Sequence, residues 1–266
     1  MTFTNLFIWR SHYGVRWSLY RDWLLFIFGS GNGLHALPPV GPSSRQEVTL
    51  TLLRWLREQG AGDARIERAD KRLIDELADI DLFQVEPSRE HFDYVYRSQN
   101  LVNLAGRKYH AKRNYINTFR KTNEFSYEDF TTAHVPACLD MAERWCRMRR
   151  CEEDMSLEAE SIAVREAVEN FNALKIQGGV IKLNESVEAF ALGEMLNPKT
   201  AVVHIEKADP DIRGLYAIIN QQVCEHNWQD VEFINREQDL GEANLREAKL
   251  SYQPDHMVEK FRIRLK

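Results

Sequence analysis

From residue 94 to residue 123 the chain carries no Asp or Glu but seven Lys and Arg, although the whole sequence has a net charge of −5. Wound as a helix at 100° per residue, residues 101–122 place Ala105, Tyr109, Ile116 and Phe119 on one side. His110, Arg113, Asn114, Asn117 and Lys121 line a stripe opposite. The apolar back must pack inward, which leaves the basic stripe outward or in a cleft. Gly106 weakens the first turn of such a helix. An ordinary solvated face carries mixed Glu and Lys, because those pairs support a helix. His, Arg and two Asn support it poorly but hold fixed hydrogen bonds well. The pattern fits a plain basic surface helix. It also fits a seat for a phosphate, a carboxylate or an RNA backbone.

A chain of 266 residues can bury one large core or two modest ones. Its mild acidity excludes a protein that coats nucleic acid generally, so any polyanion contact has to be local. Cys138, Cys146, Cys151 and Cys224 show no C-x-x-C and no Cys/His metal spacing, and no H-x-x-x-H occurs. Reduced thiols in a cytoplasmic protein are expected, without a dedicated zinc site. The apolar, aromatic start has to be tested as a targeting segment. Arg10, Arg16, Arg21 and Asp22 interrupt it too often for a membrane span, and a signal peptide's charged start and cleavage site are lacking. It reads as core, and a leading element before it is expected to be missing.

Residues 4–12 read as a helix, and 14–20 with 22–29 as a strand pair around Arg21-Asp22. Residues 35–40 read as a short third strand, at an edge because of Pro38 and Pro39. Ser43 or Ser44 caps a helix that runs to residue 59, where Gly60 and Gly62 stop it. A strand at 64–68, a helix at 71–78 and a strand at 91–96 lead to the basic helix. The second half opens with a strand at 125–130 and helices at 134–149 and 157–174. Strands at 179–183, 187–196 and 201–208 follow, then a helix at 212–226, a strand at 231–235, a helix at 242–250 and a strand at 257–264. The order helix, three strands, helix, strand, helix, strand thus occurs twice. An α/β (α+β) chain is expected, with units 1–123 and 124–266, mixed sheets flanked by helices, and a first unit short of its leading strand.

Two further stretches are rich in polar groups. A strand ends at Asn235, and Arg236, Glu237 and Asp239 precede a helix with Arg246 and Lys249. Open α/β sheets hold ligands at the carboxyl ends of strands. A surface salt bridge between Glu242 and Arg246 accounts for part of this pattern equally well. Upstream, Val203 and Ile205 alternate with His204 and Glu206, the usual mark of one wet face. Asn220 lies two turns into the next helix, where its amide needs a partner.

The segments TFTNLFIWR, KYHAKRNYIN, VHIEKAD, GLYAIIN and INREQDLGEANLREAKLSYQP, spread over nearly the whole chain, carry a resemblance. They resemble a bacterial family, largely of unassigned reaction, related to the C-terminal domain of phosphatidylglycerol lysyltransferase. The order of elements resembles two GNAT-type acyltransferase units in tandem. Relatives with known chemistry move an amino acid from aminoacyl-tRNA to an amine or hydroxyl of a lipid or peptide. The resemblance therefore implies an acyl or aminoacyl transferase acting on an anionic or phosphate-bearing ligand. The acceptor end of an aminoacyl-tRNA is such a ligand, and a lipid headgroup a peripheral acceptor. It implies ligand binding by His110, Arg113, Asn114, Asn117, Lys207, Asn220, Asn235, Arg236, Asp239, Arg246 and Lys249. Glu237 or Glu206 would accept a proton.

One departure matters. An acetyl-CoA-dependent unit places Arg-Gly-x-Gly-x-Gly between strand and helix, where bare backbone N–H groups cradle the pyrophosphate. Here the chain reads Arg213-Gly214-Leu215-Tyr216-Ala217-Ile218, and Tyr216 and Ile218 are expected to obstruct that approach. Acetyl-CoA is not expected in the second half, and no other cofactor is firmly implied. No Ser or Cys has a nucleophile's setting, so direct transfer is expected. The alternative is a non-catalytic module that holds an anionic ligand on a degenerate fold of this kind.

Overall fold

The computed structural model describes residues 2–78 and 81–266. Helices α1 (Phe3–Ile8) and α2 (Arg10–Tyr13) lead into the hairpin β1 (Arg16–Tyr20) and β2 (Trp23–Phe28). Then come β3 (His35–Ala36), α3 (Gln46–Glu58), β4 (Arg65–Ala69), α4 (Lys71–Leu77), β5 (Phe83–Pro87) and β6 (Asp93–Arg97). The basic stretch forms α5 (Ser98–Asn103) and α6 (His110–Thr122). It breaks between them, because Leu104 (φ 47°) and Gly106 (φ 88°) are left-handed. The chain continues with β7 (Phe125–Asp129), α7 (Val135–Arg149), α8 (Met155–Glu169), α9 (Phe171–Leu174), β8 (Gln177–Leu183), β9 (Ser186–Asn197) and β10 (Thr200–Ala208). It ends with α10 (Leu215–Trp228), β11 (Phe233–Asn235), α11 (Ala243–Leu250), β12 (His256–Val258) and β13 (Phe261–Leu265).

Two mixed sheets result, ordered β1-β2-β3-β4-β13-β5 and β12-β6-β11-β10-β9-β8-β7. They share one plan. The pairs β3–β4 and β10–β11 are parallel, and β4–β13 and β11–β6 are antiparallel. The strand that closes each half of the sequence is exchanged: β6 pairs with β11, and β13 with β4 and β5. Among the described residues β7 has no counterpart in the six-stranded sheet.

The compact units are therefore discontinuous. One holds the chain up to Ile8, Tyr94–Glu237 and Glu247–His256; the other holds Trp9–Asp93, Gln238–Arg246 and Met257–Lys266. They do not divide at residue 123, because strand pairing assigns β6 and β13, and because α6 packs on α10. Further differences from the sequence reading have local causes. β3 lies between β2 and β4 and is only two residues long, so β1 is the edge. The single last strand expected at 257–264 is two strands in different sheets. The sequence pattern does not show β5, since only Phe83 of its five residues is buried and its periodicity is faint. Cys146 and Cys151 form a disulfide rather than staying reduced: left-handed Arg150 folds the chain back, leaving the Cα atoms 5.1 Å apart.

In the unit containing β9, a buried run of Val187, Ala189, Phe190, Ala191 and Leu192 is covered on both faces, as a central strand requires. At Gly193 a Cβ would lie 2.2 Å from the Val202 carbonyl oxygen and 2.8 Å from the Trp228 ring. The missing side chain lets α10 lie directly on the β9–β10 pair. In the other unit Leu52, Leu53 and Leu56 of α3 and Leu73 and Leu77 of α4 pack with Ile66 and Ile263. Among the described residues no helix is long and apolar enough to cross a membrane.

Candidate functional site

β11 pairs with β10 only from Thr200↔Phe233 to Val202↔Asn235, whereas β10 runs on to Ala208. The chain turns away at that point. Asn235 Oδ1 accepts the Glu237 backbone N–H at 2.7 Å, and Glu237 is left-handed (φ 56°). This turn brings Arg236 and Glu237 beside the extension of β10. There β10 carries a bulge: Val203 pairs with Gly193 and Ile205 with Leu192, so His204 is the extra residue.

The His204 imidazole has no exposed surface and is held at both nitrogens. Nδ1 lies 2.8 Å from Glu237 Oε1, and Nε2 2.9 Å from Glu194 Oε1 of β9. Asn5 of α1 donates to the same Glu237 oxygen at 2.9 Å. Burial alone would lower the imidazole pKa, but the bonds to Glu194 and Glu237 outweigh it and raise the value to about 9. Burial would likewise raise Glu237, and the bond and charge of His204 bring it down to about 2. Two carboxylates thus share one imidazolium, and the charge of Lys249 also acts on Glu237.

Beside it, Arg236 Nη2 bonds both oxygens of Glu206, at 2.9 and 3.0 Å, and the two side chains are only 12% and 14% exposed. Asn220 donates to Glu206 Oε2 at 3.0 Å. The Arg236 guanidinium lies 4.7 Å from the Tyr252 ring centroid and 5.8 Å from that of Tyr96. Lys249 donates from Nζ to the Arg236 carbonyl, and the Tyr96 hydroxyl donates to the Lys249 carbonyl at 2.8 Å. Glu206 and Glu237, read from the sequence as proton acceptors, are therefore both engaged in ion pairs.

The basic helix reaches this group through a residue that the sequence reading did not select. Lys112 of α6 is half-buried, with Nζ 4.1 Å from the centroid of the same Tyr252 ring. Burial and the charge of Arg236 lower its pKa to about 8. The selected stripe is placed differently. Arg113 donates from Nη1 to the carbonyls of Leu104 and Gly106, the latter at 2.6 Å, which secures the break before α6. His110 and Asn114 are exposed and 3.4 Å apart, and Asn117 is exposed. Lys207 points to the other side of β10 from Glu206. There it meets Glu160 at 2.9 Å and the Trp145 ring at 3.4 Å.

Asp239 and Arg246 belong to the other compact unit. The Asp239 side chain is fully buried and accepts from Arg246 at 2.8 and 3.1 Å, from Arg89 at 3.1 Å and from the Gly241 N–H at 2.9 Å. That is a structural knot around a buried carboxylate.

At the start of α10, Ile218 is in the core rather than over the helix end, and the Tyr216 hydroxyl accepts from Trp145 Nε1 at 3.0 Å. What stands against left-handed Gly214 is α6. A Cβ there would meet the Tyr115 carbonyl oxygen at 2.7 Å and Phe119 Cβ at 3.1 Å. A cavity of about 560 Å³ between α7 and α8, lined by Leu139, Cys146, Arg150, Cys151, Ile162 and Arg165 among others, contains none of these groups.

The model of the family described as phosphatidylglycerol lysyltransferase, C-terminal, matches residues 1–264. The chain belongs to that family. A crystal structure of a conserved protein of unknown function from Bacteroides thetaiotaomicron VPI-5482 is similar at 34% identity and a TM-score of 0.90, over 99% of this chain and 90% of that one. The C-terminal domain of a putative lysylphosphatidylglycerol synthetase from Agrobacterium fabrum is similar in fold, at 14% identity and a TM-score of 0.64, over 96% and 85%. A tandem GNAT protein of the clavulanic acid pathway shares the architecture at 7% identity and a TM-score of 0.50, over 92% and 79%. The fold is thus mixed α/β and GNAT-like in tandem, and the lysyltransferase-family chain carries a transferase architecture.

Proposed function

We propose that the chain moves an aminoacyl group from an RNA-linked donor directly to an amine or hydroxyl acceptor. A lipid headgroup is the first acceptor to test, because the family carries the name of phosphatidylglycerol lysyltransferase. The observation that supports this best is the charge arrangement past the end of β11. The two carboxylates that meet at His204 suit the α-ammonium of an aminoacyl group. Arg236 and Lys112, against one tyrosine ring, suit a phosphate or a developing oxyanion.

The donor is not acetyl-CoA in this reading, because α6 lies against the loop at Gly214 where a pyrophosphate would approach. Titration calorimetry with acetyl-CoA is expected to show no binding of micromolar strength, roughly −8 kcal/mol. Such binding would contradict the steric argument. The transfer itself is tested by incubating the protein with tRNA charged with labelled amino acids, together with phosphatidylglycerol vesicles or an amine-bearing peptide. Label in the lipid or peptide fraction supports the reading. The engagement of both Glu206 and Glu237 in ion pairs also fits a module that holds an anionic ligand without turnover. Saturable binding of charged tRNA with no transfer would favour that.

A further inference from the structure

We propose that Lys112 is the proton-accepting residue of this site, taking the proton of the attacking acceptor and handing it to the departing ribose oxygen. The proposal rests on the aminoacyl-transfer reading above. Direct transfer needs a group that is reachable, exchanges protons near neutral pH and is not already engaged. Glu237 serves His204 and Asn5, and Glu206 serves Arg236 and Asn220. His204 has both nitrogens engaged and no exposed surface. Moving a proton onto or off any of these breaks a buried ion pair.

Lys112 differs in each respect. It makes no ion pair among the described residues and stays half-exposed against the Tyr252 ring. The charged and titratable groups that face it are Arg236, Glu206 and Tyr252. Burial and Arg236 favour the neutral amine, and Glu206 opposes them. With the pKa at about 8, roughly a tenth of the amines are neutral at pH 7. In the step, the acceptor N–H or O–H proton passes to neutral Nζ as the acceptor heteroatom bonds to the ester carbonyl carbon. When the tetrahedral intermediate collapses, the C–O bond to the ribose breaks, and the ammonium returns that proton to the ribose oxygen. No further reactant is needed.

Two measurements test this. Competitive labelling of the full chain with acetic anhydride from pH 6 to 11, read lysine by lysine by peptide mass spectrometry, needs no turnover. Lys112 is expected to become reactive around pH 8, ahead of the exposed lysines; reactivity only alongside them overturns the proposal. In the transfer assay, the wild-type kcat is expected to rise with pH through about 8. Lys112→Arg keeps the charge but cannot release a proton at these pH values. It is expected to lose about 10²–10⁴-fold in kcat and the rising limb with it, with KM little changed. Lys112→Ala is expected to regain activity on addition of ethylamine. Transfer by Lys112→Arg at the wild-type rate overturns this proposal alone. No transfer by the wild type removes the aminoacyl reading and this one together.

Discussion

Replacing His204 with Gln is expected to lower the unfolding free energy by ~3–5 kcal/mol, the cost of breaking a buried ion pair. The neutral amide would leave Glu194 and Glu237 facing one another with no cation between them. The pH dependence distinguishes this from a simple packing loss. Folding lifts the imidazole from an ordinary 6.5 to about 9, so the native state binds the extra proton between those values. The contribution is complete below pH 6.5 and is lost as the pH rises through 9. Glu237, held at about 2 against an ordinary 4.5, works the other way. Its contribution is complete above pH 4.5 and is lost as the pH falls through 2. Urea denaturation of both proteins at several pH values is the check. The gap between them is expected to be widest between pH 4.5 and 6.5 and to narrow by pH 9. A uniform gap, or one within ~0.5 kcal/mol throughout, would mean that the imidazolium does not hold the two carboxylates together.

Arg236→Met is expected to be about as damaging, ~3–5 kcal/mol, because it leaves Glu206 charged and little exposed. The sequence reading makes Arg236 a ligand contact. The structure makes it also the counter-ion of Glu206, with its guanidinium near the Tyr252 and Tyr96 rings. Adding Glu206→Gln is expected to recover most of the loss. The amide oxygen can still accept from Asn220, and no charge is then left unpaired. A double-mutant cycle read by denaturation measures the coupling. Additive effects of the two substitutions would show that the pair is a bystander.

The sequence alone determined most of the local structure and the family. The hairpin of β1 and β2 and the three strands β8 to β10 follow from residue type and turn signals, and the buried face of α6 at Ile116 and Phe119 from helical periodicity. Periodicity reports which face is covered. Lys112 was legible in the same way, since it lies three residues after Tyr109 and four before Ile116, a charge within the apolar face. Arg113 beside it reads as a basic stripe residue, yet it caps the carbonyls of Leu104 and Gly106. Nothing in the spacing separates a capping arginine from a ligand-binding one.

Only the tertiary structure decided the exchange of β6 and β13, because strands pair through backbone groups that almost every residue carries. It also decided that His204 meets Glu194 ten residues before it and Glu237 thirty-three after it, and that Asn5 near the start of the chain donates to the same Glu237 oxygen. A buried charge is tolerable only with its partners in place. Those partners come from α1, β9 and the turn after β11, and only the folded chain brings them together.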